Sequence, residues 1–390
     1  FLNRFFSSVL ENRHNATDTK GVFIRSTTNY GILKRVFSCK LFYEANTQRE
    51  AILQETFIEV GTENGQFTWE DTNGDGVQQI DEFFQEQTPN EGTFVKQFIP
   101  SDELFPVIDL ETRWRNRIRP ALIFKDDQES FWANTLRKIE LNSVVEIRET
   151  NRTENISDIY LLQLSEFRDD STTIQGRLFW QQEIKLFPEN RKTDISLQSN
   201  KLRSLNQRSA GVEQRETDTY ILNASYRLKR RYIIKNKFTF EQKESESERL
   251  VNRNFDIQSF GIEPGLDFII NRSFQTGLEV EFTRKTDRQP DENVDVNFFK
   301  ISSNTRAFLF NKVQTSAQIG WQNVNIEGNT TTFGAFELTG GAGRGSTFNW
   351  SVQSSYRISQ LIRASLNYNG RTVQDRGLVQ TMRVTVSAVF

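Results

Sequence analysis

The sequence predicts an all-β protein, an antiparallel up-and-down sheet whose strands cross a membrane as a β-barrel. Three observations predict it. Apolar and polar residues alternate with period two in one segment after another, the mark of strands with a greasy face and a wet face. These segments are joined in turn by tight turns and by long polar loops, the asymmetry of a spanning barrel whose backbone groups must all be paired inside hydrocarbon. Thirty-three Phe stand in a chain with only 36% hydrophobic residues, a skew that suits flat aromatics on a lipid-facing strand surface.

The elements follow in order. Val22 and Ile24, then Val36 to Phe42 and Ile52–Val60, read as leading strands in residues 1–60. The chain begins at Phe1 without Met and shows no signal peptide, so this segment is expected to continue a longer, exported protein. Residues 106–390 read as C-terminal barrel hairpins. The earliest clear pair runs over 174–187 and 191–203, turned at Pro188, Glu189 and Asn190. Tyr220, Leu222, Ala224, Tyr226 and Leu228 alternate next, with a turn at Lys229–Arg230 leading into Tyr232, Ile234, Phe238 and Phe240. Phe260, Ile262, Leu266 and Phe268 lead through Asn271–Arg272 to Phe274, Thr276, Leu278, Val280 and Phe282. A strand at 294–310 turns at Asn311–Lys312 into Val313, Thr315, Ala317, Ile319 and Trp321. Beyond a glycine-rich loop (Gly340, Gly341, Gly343, Gly345), Phe348, Trp350, Val352, Tyr356 and Ile358 turn near Ser359–Gln360 into Ile362, Ala364, Leu366 and Tyr368. The last strand carries Met382, Val384, Val386, Ala388 and Phe390. This gives about eleven strands from Ile174 onwards, with turns of about two to four residues at one end and loops of about nine to twenty at the other. Phe187, Tyr232, Phe274, Phe310 and Tyr356 on the turn side, and Trp321, Phe348 and Trp350 towards the loops, read as two interfacial girdles.

A mean hydropathy of -0.60 with 26% charged residues excludes a helical membrane protein. It leaves a barrel open, because a lumen and loops are polar. A net charge of -2 points to no nucleic-acid partner. Cys39 is the single cysteine, which excludes an internal disulfide framework and a cysteine-based metal site. His14 is the single histidine and has no nucleophile motif near it, so no enzyme is expected. Gly341-Ala342-Gly343-Arg344-Gly345 joins two strands and reads as a flexible loop rather than a phosphate loop. Lys229, Arg230 and Arg231 read as a solvated basic turn.

The sharpest motif interrupts the strands. Asp71-Thr72-Asn73-Gly74-Asp75-Gly76-Val77-Gln78-Gln79-Ile80-Asp81-Glu82 fits D-x-[DN]-x-[DN]-G-x5-E at every fixed position. Ca²⁺ takes oxygen ligands in loose geometry. Asp71, Asn73 and Asp75 can wrap it, Val77 can offer its carbonyl, Gln79 can act directly or through water, and Glu82 can close the shell. Strand-like Phe67-Thr68-Trp69 precedes the loop and only a short acidic stretch follows, so a single structural site is expected rather than a paired sensor. It would clip an insertion spanning 61–105, with the next apolar segment at Phe105–Leu110.

Asp71 to Phe83, the hairpin from Tyr356-Arg357-Ile358-Ser359 to Asn367-Tyr368-Asn369-Gly370-Arg371, and the ending at Phe390 together carry a resemblance. The chain resembles the C-terminal portion of large outer-membrane β-barrel proteins of Bacteroidota type, where a D-x-N-G-D-G-V-Q-Q-x-x-E-F segment precedes a barrel ending in Phe. The terminal aromatic strand is similar to the assembly signal of Gram-negative barrels. The resemblance implies residence in the outer membrane among its lipids, handling by the barrel assembly machinery through the strand ending at Phe390, periplasmic turns and extracellular loops. The expected role is a non-enzymatic transport or secretion pore or a surface scaffold, with Lys235, Lys237, Glu241, Glu279 and Glu281 facing the lumen. The barrel part of a TonB-dependent importer, and a soluble extracellular calcium-bound β adhesin or glycan-binding module, are the alternatives.

Overall fold

The computed structural model describes residues 4–11, 20–33, 35–62, 64–86, 91–123, 131–152, 168–169, 171–208, 211–248, 250–289, 294–310, 312–328, 333–340, 344–359, 361–373 and 377–388. Strands β1 (Arg4–Glu11), β2 (Lys20–Ile32) and β3 (Phe37–Glu59) come first, followed by the short β4 (Phe67–Trp69) and β5 (Phe83–Gln85). Then come β6 (Phe94–Ile118), β7 (Ile139–Asn151), β8 (Thr173–Leu186), β9 (Thr193–Arg208), β10 (Gly211–Leu228), β11 (Tyr232–Ser247) and β12 (Phe255–Asn271). The chain continues through β13 (Phe274–Asp287), β14 (Val294–Leu309), β15 (Val313–Glu327), β16 (Gly345–Arg357), β17 (Ile362–Val373) and β18 (Gly377–Ala388). Among the described residues two short α-helices, α1 (Phe131–Leu136) and α2 (Phe333–Thr339), sit between strands.

Every ladder between chain neighbours in the wall is antiparallel: β1–β2, β2–β3, β3–β6 and β6–β7, then each strand with the next to β17–β18. The run from β8 to β18 holds the eleven strands expected from the alternation. Among the described residues no ladder joins β18 to β1, so the sheet is open. Phe390 lies outside the described residues, as do His14 and Gly341–Gly343.

Two expectations about connections are corrected. Tight turns do follow β2, β10, β12, β14 and β16, but β8 is followed by the longer connection 187–192, and the same end also carries the long connection from Ile118 to Ile139 with α1 in it. At the other end the loops are not uniformly long, since β9 ends at Arg208 and β10 begins at Gly211, and β17 ends at Val373 with β18 at Gly377. There the two strands pair to their ends, so the hydrogen-bond ladder itself shortens the loop. The insertion is also shorter than 61–105, because β6 starts at Phe94 and pairs with β3 through Glu59↔Phe94. It therefore occupies 60–93.

The β3–β6 hairpin is longer than its neighbours, and β6 pairs with β7 only up to Ile108↔Asn151. Beyond that point the register shifts between Ala51 and Leu53, and Pro106 and Pro100 stand in β6 opposite Arg49 and Leu53. A bulge bends and twists a strand, and Pro removes a ladder donor. The upper arm consequently leaves the wall, and Leu53 pairs in parallel with Arg208 of β9. The main apolar cluster forms where strand ends meet α2: Ala335 and Leu338 pack on Phe255 and Ile257 of β12, Val294 and Val296 of β14, and Val324 and Ile326 of β15.

Candidate functional site

The two faces of the wall divide by residue parity. On β12, Phe260, Leu266 and Ile270 are exposed while alternate Ile257, Ser259 and the other odd-numbered positions point towards α2 and the concave side. Cross-strand registers extend this outward apolar face: Leu222↔Phe238, Ile262↔Phe282, Leu266↔Leu278 and Ile319↔Trp350. Leu278 (51%) and Ile319 (51%) are both exposed. Aromatics join side by side in an upper row, Tyr220 with Phe240 at 6.2 Å, Phe282 with Phe299 at 4.8 Å and Phe299 with Trp321 at 5.8 Å. Tyr232 stacks on Phe268 at 4.9 Å in a row near the tight turns. Soluble monomers rarely expose contiguous apolar patches beyond a few hundred Å², and this face is a belt from strand to strand.

The concave face is polar, as expected. Lys235 pairs with Asp267 at 2.5 Å, Lys237 with Glu263 at 2.7 Å and Glu281 with Lys300 at 3.6 Å. Thr219 donates to Glu241 at 3.3 Å, and Glu279 lines a cavity with Lys235 and Asp267. Arg117–Glu140 and Arg113–Glu146, both at 2.8 Å, continue the pattern on β6 and β7. Towards β15–β17 the lining changes to amides and hydroxyls, such as Gln318, Ser351 and Gln353.

The insertion turns inwards. Its neck is a close backbone contact, with the Val60 N–H donating to the Thr93 carbonyl at 2.8 Å. A Cβ on Gly65 would stand 2.1 Å from the Gly92 carbonyl oxygen, so only glycine fits there. Phe83 stacks on Phe57 at 4.0 Å and Phe84 lies 3.9 Å from Phe336 of α2. Arg253, in the turn before β12, donates to the Ile80 carbonyl and lies 3.9 Å from Glu55. Glu55 is itself buried and paired with Lys96 at 2.7 Å. On the far side Arg371 of β17 pairs with Glu91. Between the insertion and the wall lies a cavity of about 760 Å³, lined by Phe57, Phe84, Lys96, Arg215, Gln322 and Asn349 among others.

The calcium-motif residues occupy the exposed tip of this insertion, apart from Glu82. Gly74 (φ 76°) and Gly76 (φ 73°) are left-handed, as the turn requires. Asp71 accepts from the Gly74 and Gly76 N–H groups at 2.7 and 2.8 Å, Asn73 Oδ1 from the Asp75 N–H at 2.9 Å, and Asp75 from the Val77 N–H at 2.7 Å and Gln79 Nε2 at 2.8 Å. Glu82 is buried. Its carboxylate accepts from the Trp69 indole at 2.9 Å and the Thr72 N–H at 3.2 Å, which brings it back to the start of the loop. Among the described residues no group of three His, Cys, Asp or Glu is arranged to hold a metal ion. The oxygen-rich donor set suits a hard cation, but these carboxylates are engaged with backbone N–H and side-chain donors in this geometry.

Sequence reasoning did not single out Phe84, Arg253, α2 or Glu55, and it quoted Arg371 only within the hairpin that carries the resemblance. A signal was present: Val294, Val296, Val324 and Ile326 are apolar on the face that is polar lower on the same strands. That change of phase marks where something packs inside.

No protein-family model matches the sequence, and no curated protein matches it. Among solved structures it is similar to the FrpB iron transporter from Neisseria meningitidis, with 10% identity over 95% of this chain and 65% of that one, at a TM-score of 0.44. It is also similar to the siderophore receptor PirA from Acinetobacter baumannii, with 9% identity over 99% of this chain and 57% of that one, at a TM-score of 0.47. The outer membrane channel DcaP of Acinetobacter baumannii matches with 8% identity over 88% of this chain and 96% of that one, at a TM-score of 0.36. The chain thus spans 57–65% of the length of the first two. At 8–10% identity none of their sites maps onto its residues.

Proposed function

We propose that this chain builds wall strands of an outer-membrane β-barrel, with its apolar belt against lipid, and that its role is non-enzymatic: a transport or secretion pore, or a surface scaffold. The single observation that carries this reading is the parity division, a continuous exposed apolar belt outside and ion pairs such as Lys235–Asp267 inside. In water the belt would be costly, at roughly 25 cal/mol per Å² of apolar surface left exposed; in lipid it is the contact surface. Assembly would proceed through the barrel assembly machinery acting on the last strand and Phe390. The barrel part of a TonB-dependent importer is the alternative, and a plug domain encoded ahead of Phe1 would favour it. Fractionation with heat-modifiable gel mobility tests the shared claim: a folded, faster-migrating species in outer membranes supports it, and recovery in the aqueous fraction sinks it in favour of a soluble adhesin.

The calcium clip belongs to the same reading. Asp71, Asn73, Asp75, the Val77 carbonyl, Gln79 and Glu82 would hold the ion. The supporting observations are the left-handed Gly74 and Gly76 and the return of Glu82 to the Thr72 amide. Bound calcium would stiffen the tip of the insertion, and affinity need only be weak, with a Kd of roughly 10⁻⁴–10⁻³ M as in other extracellular modules.

A further inference from the structure

The insertion at 60–93 touches partners that lie far apart around the sheet. Through the bent arm that bears it, Leu53 reaches β9. Ile80 is held by Arg253 beside β12, Phe84 meets Phe336 at 3.9 Å and Phe333 at 6.2 Å on α2 between β15 and β16, and Glu91 pairs with Arg371 on β17. A segment rooted between β3 and β6 that reaches all of these crosses the concave space instead of lying along one side of it. Its covalent root is narrow, the neck at Val60, Thr93, Gly65 and Gly92. Among the described residues its contacts with the wall beyond that root are non-covalent, and include the two aromatic contacts of Phe84 with α2 and two arginines, Arg253 and Arg371, both largely buried.

We propose that the described part of the insertion, residues 64–86 and 91–93, is a plug carried by the wall itself, and that Phe84–Phe336 and Glu91–Arg371 are the latch that keeps it shut. This rests on the barrel reading. Solute crosses the concave space, along the amide- and hydroxyl-lined wall below Gln322, only when the latch is released and the plug moves on its neck. A narrow neck with separable contacts suits such a motion, because hinge movement needs few residues to change conformation while the packed body moves as a unit.

The test uses the full-length protein in planar bilayers and reads ionic current. The parent should pass little current. Arg371→Met should raise the open fraction about tenfold or more, the change expected when a state-specific contact is lost. A paired variant, Glu91→Arg with Arg371→Glu, carries its own control. Arg371→Glu alone should conduct, and the paired variant, which restores opposite charges across the same contact, should close it again. Equal currents in Arg371→Glu and the paired variant, or a parent already as conductive as Arg371→Met, would overturn the plug. Heat-modifiable mobility of the same samples is read in parallel, so that failure of the barrel reading registers separately from failure of the plug.

Discussion

Leu278→Arg separates a lipid-facing wall from a soluble sheet. Leu278 stands four residues into β13 from its turn end at Phe274, which is about 13 Å along the strand at roughly 3.3 Å per residue. A tilt of about 40° makes that about 10 Å along the barrel axis, near the middle of an apolar band about 25 Å tall. Its side chain is 51% exposed, so little protein packing is lost and the cost falls on lipid contact. An arginine at that depth costs about 2–4 kcal/mol, which is roughly 30- to 700-fold in the folding equilibrium. Gln353→Arg supplies the comparison, because Gln353 is exposed on the concave face and a cation there stays in water. The assay is a urea titration of refolding into lipid vesicles, read by heat-modifiable mobility. Equal destabilisation by the two variants would refute the assignment of faces.

Further outcomes follow from the same geometry. Chelating calcium from the purified, lipid-reconstituted protein should speed protease cleavage within 60–93 and spare the hairpins after Ile174, and Asp71→Ala should abolish the difference; cleavage indifferent to chelation leaves the motif as a turn. Glu82→Ala should loosen the insertion even without calcium, by about 1–3 kcal/mol, since the Trp69 indole and Thr72 amide would lose a buried acceptor; unchanged protease resistance of the apo form would count against it. Gly65→Ala should cost about 1–3 kcal/mol through overpacking against the Gly92 carbonyl, seen as faster clipping of the insertion with the wall intact. Deleting Phe390 should leave the chain synthesised but unassembled in the periplasm, and normal insertion of the deletion would remove the assembly-signal reading.

Most of the wall was legible in the sequence because a two-sided strand must alternate, so Leu222, Leu278 and Val352 identify their own face wherever lipid is on one side and water on the other. Lys235 and Lys237 were legible for the same reason. The interior at the loop end was not. Phe84 belongs to a three-residue strand, too short for any period, and its partners Phe333 and Phe336 are far away in sequence and sit in a seven-residue helix beside glycines. The bend that brings them together depends on a register shift at Ala51/Leu53, which is set by pairing with β6 rather than by local preference. The calcium motif was legible as a string, but the burial of Glu82 against Trp69 was not, because it depends on β4 and β5 pairing across the loop.

The central claim is tested most directly by a depth scan along β13. Single cysteines from Gln275 to Phe282, in a Cys39→Ser background, are labelled with a fluorophore and quenched in turn by brominated lipid chains and by a water-soluble quencher. The account predicts strict alternation: Thr276, Leu278, Val280 and Phe282 quenched from lipid, and Gln275, Gly277, Glu279 and Glu281 quenched from water. Uniform water quenching at every position, or alternation with the opposite phase, would contradict it.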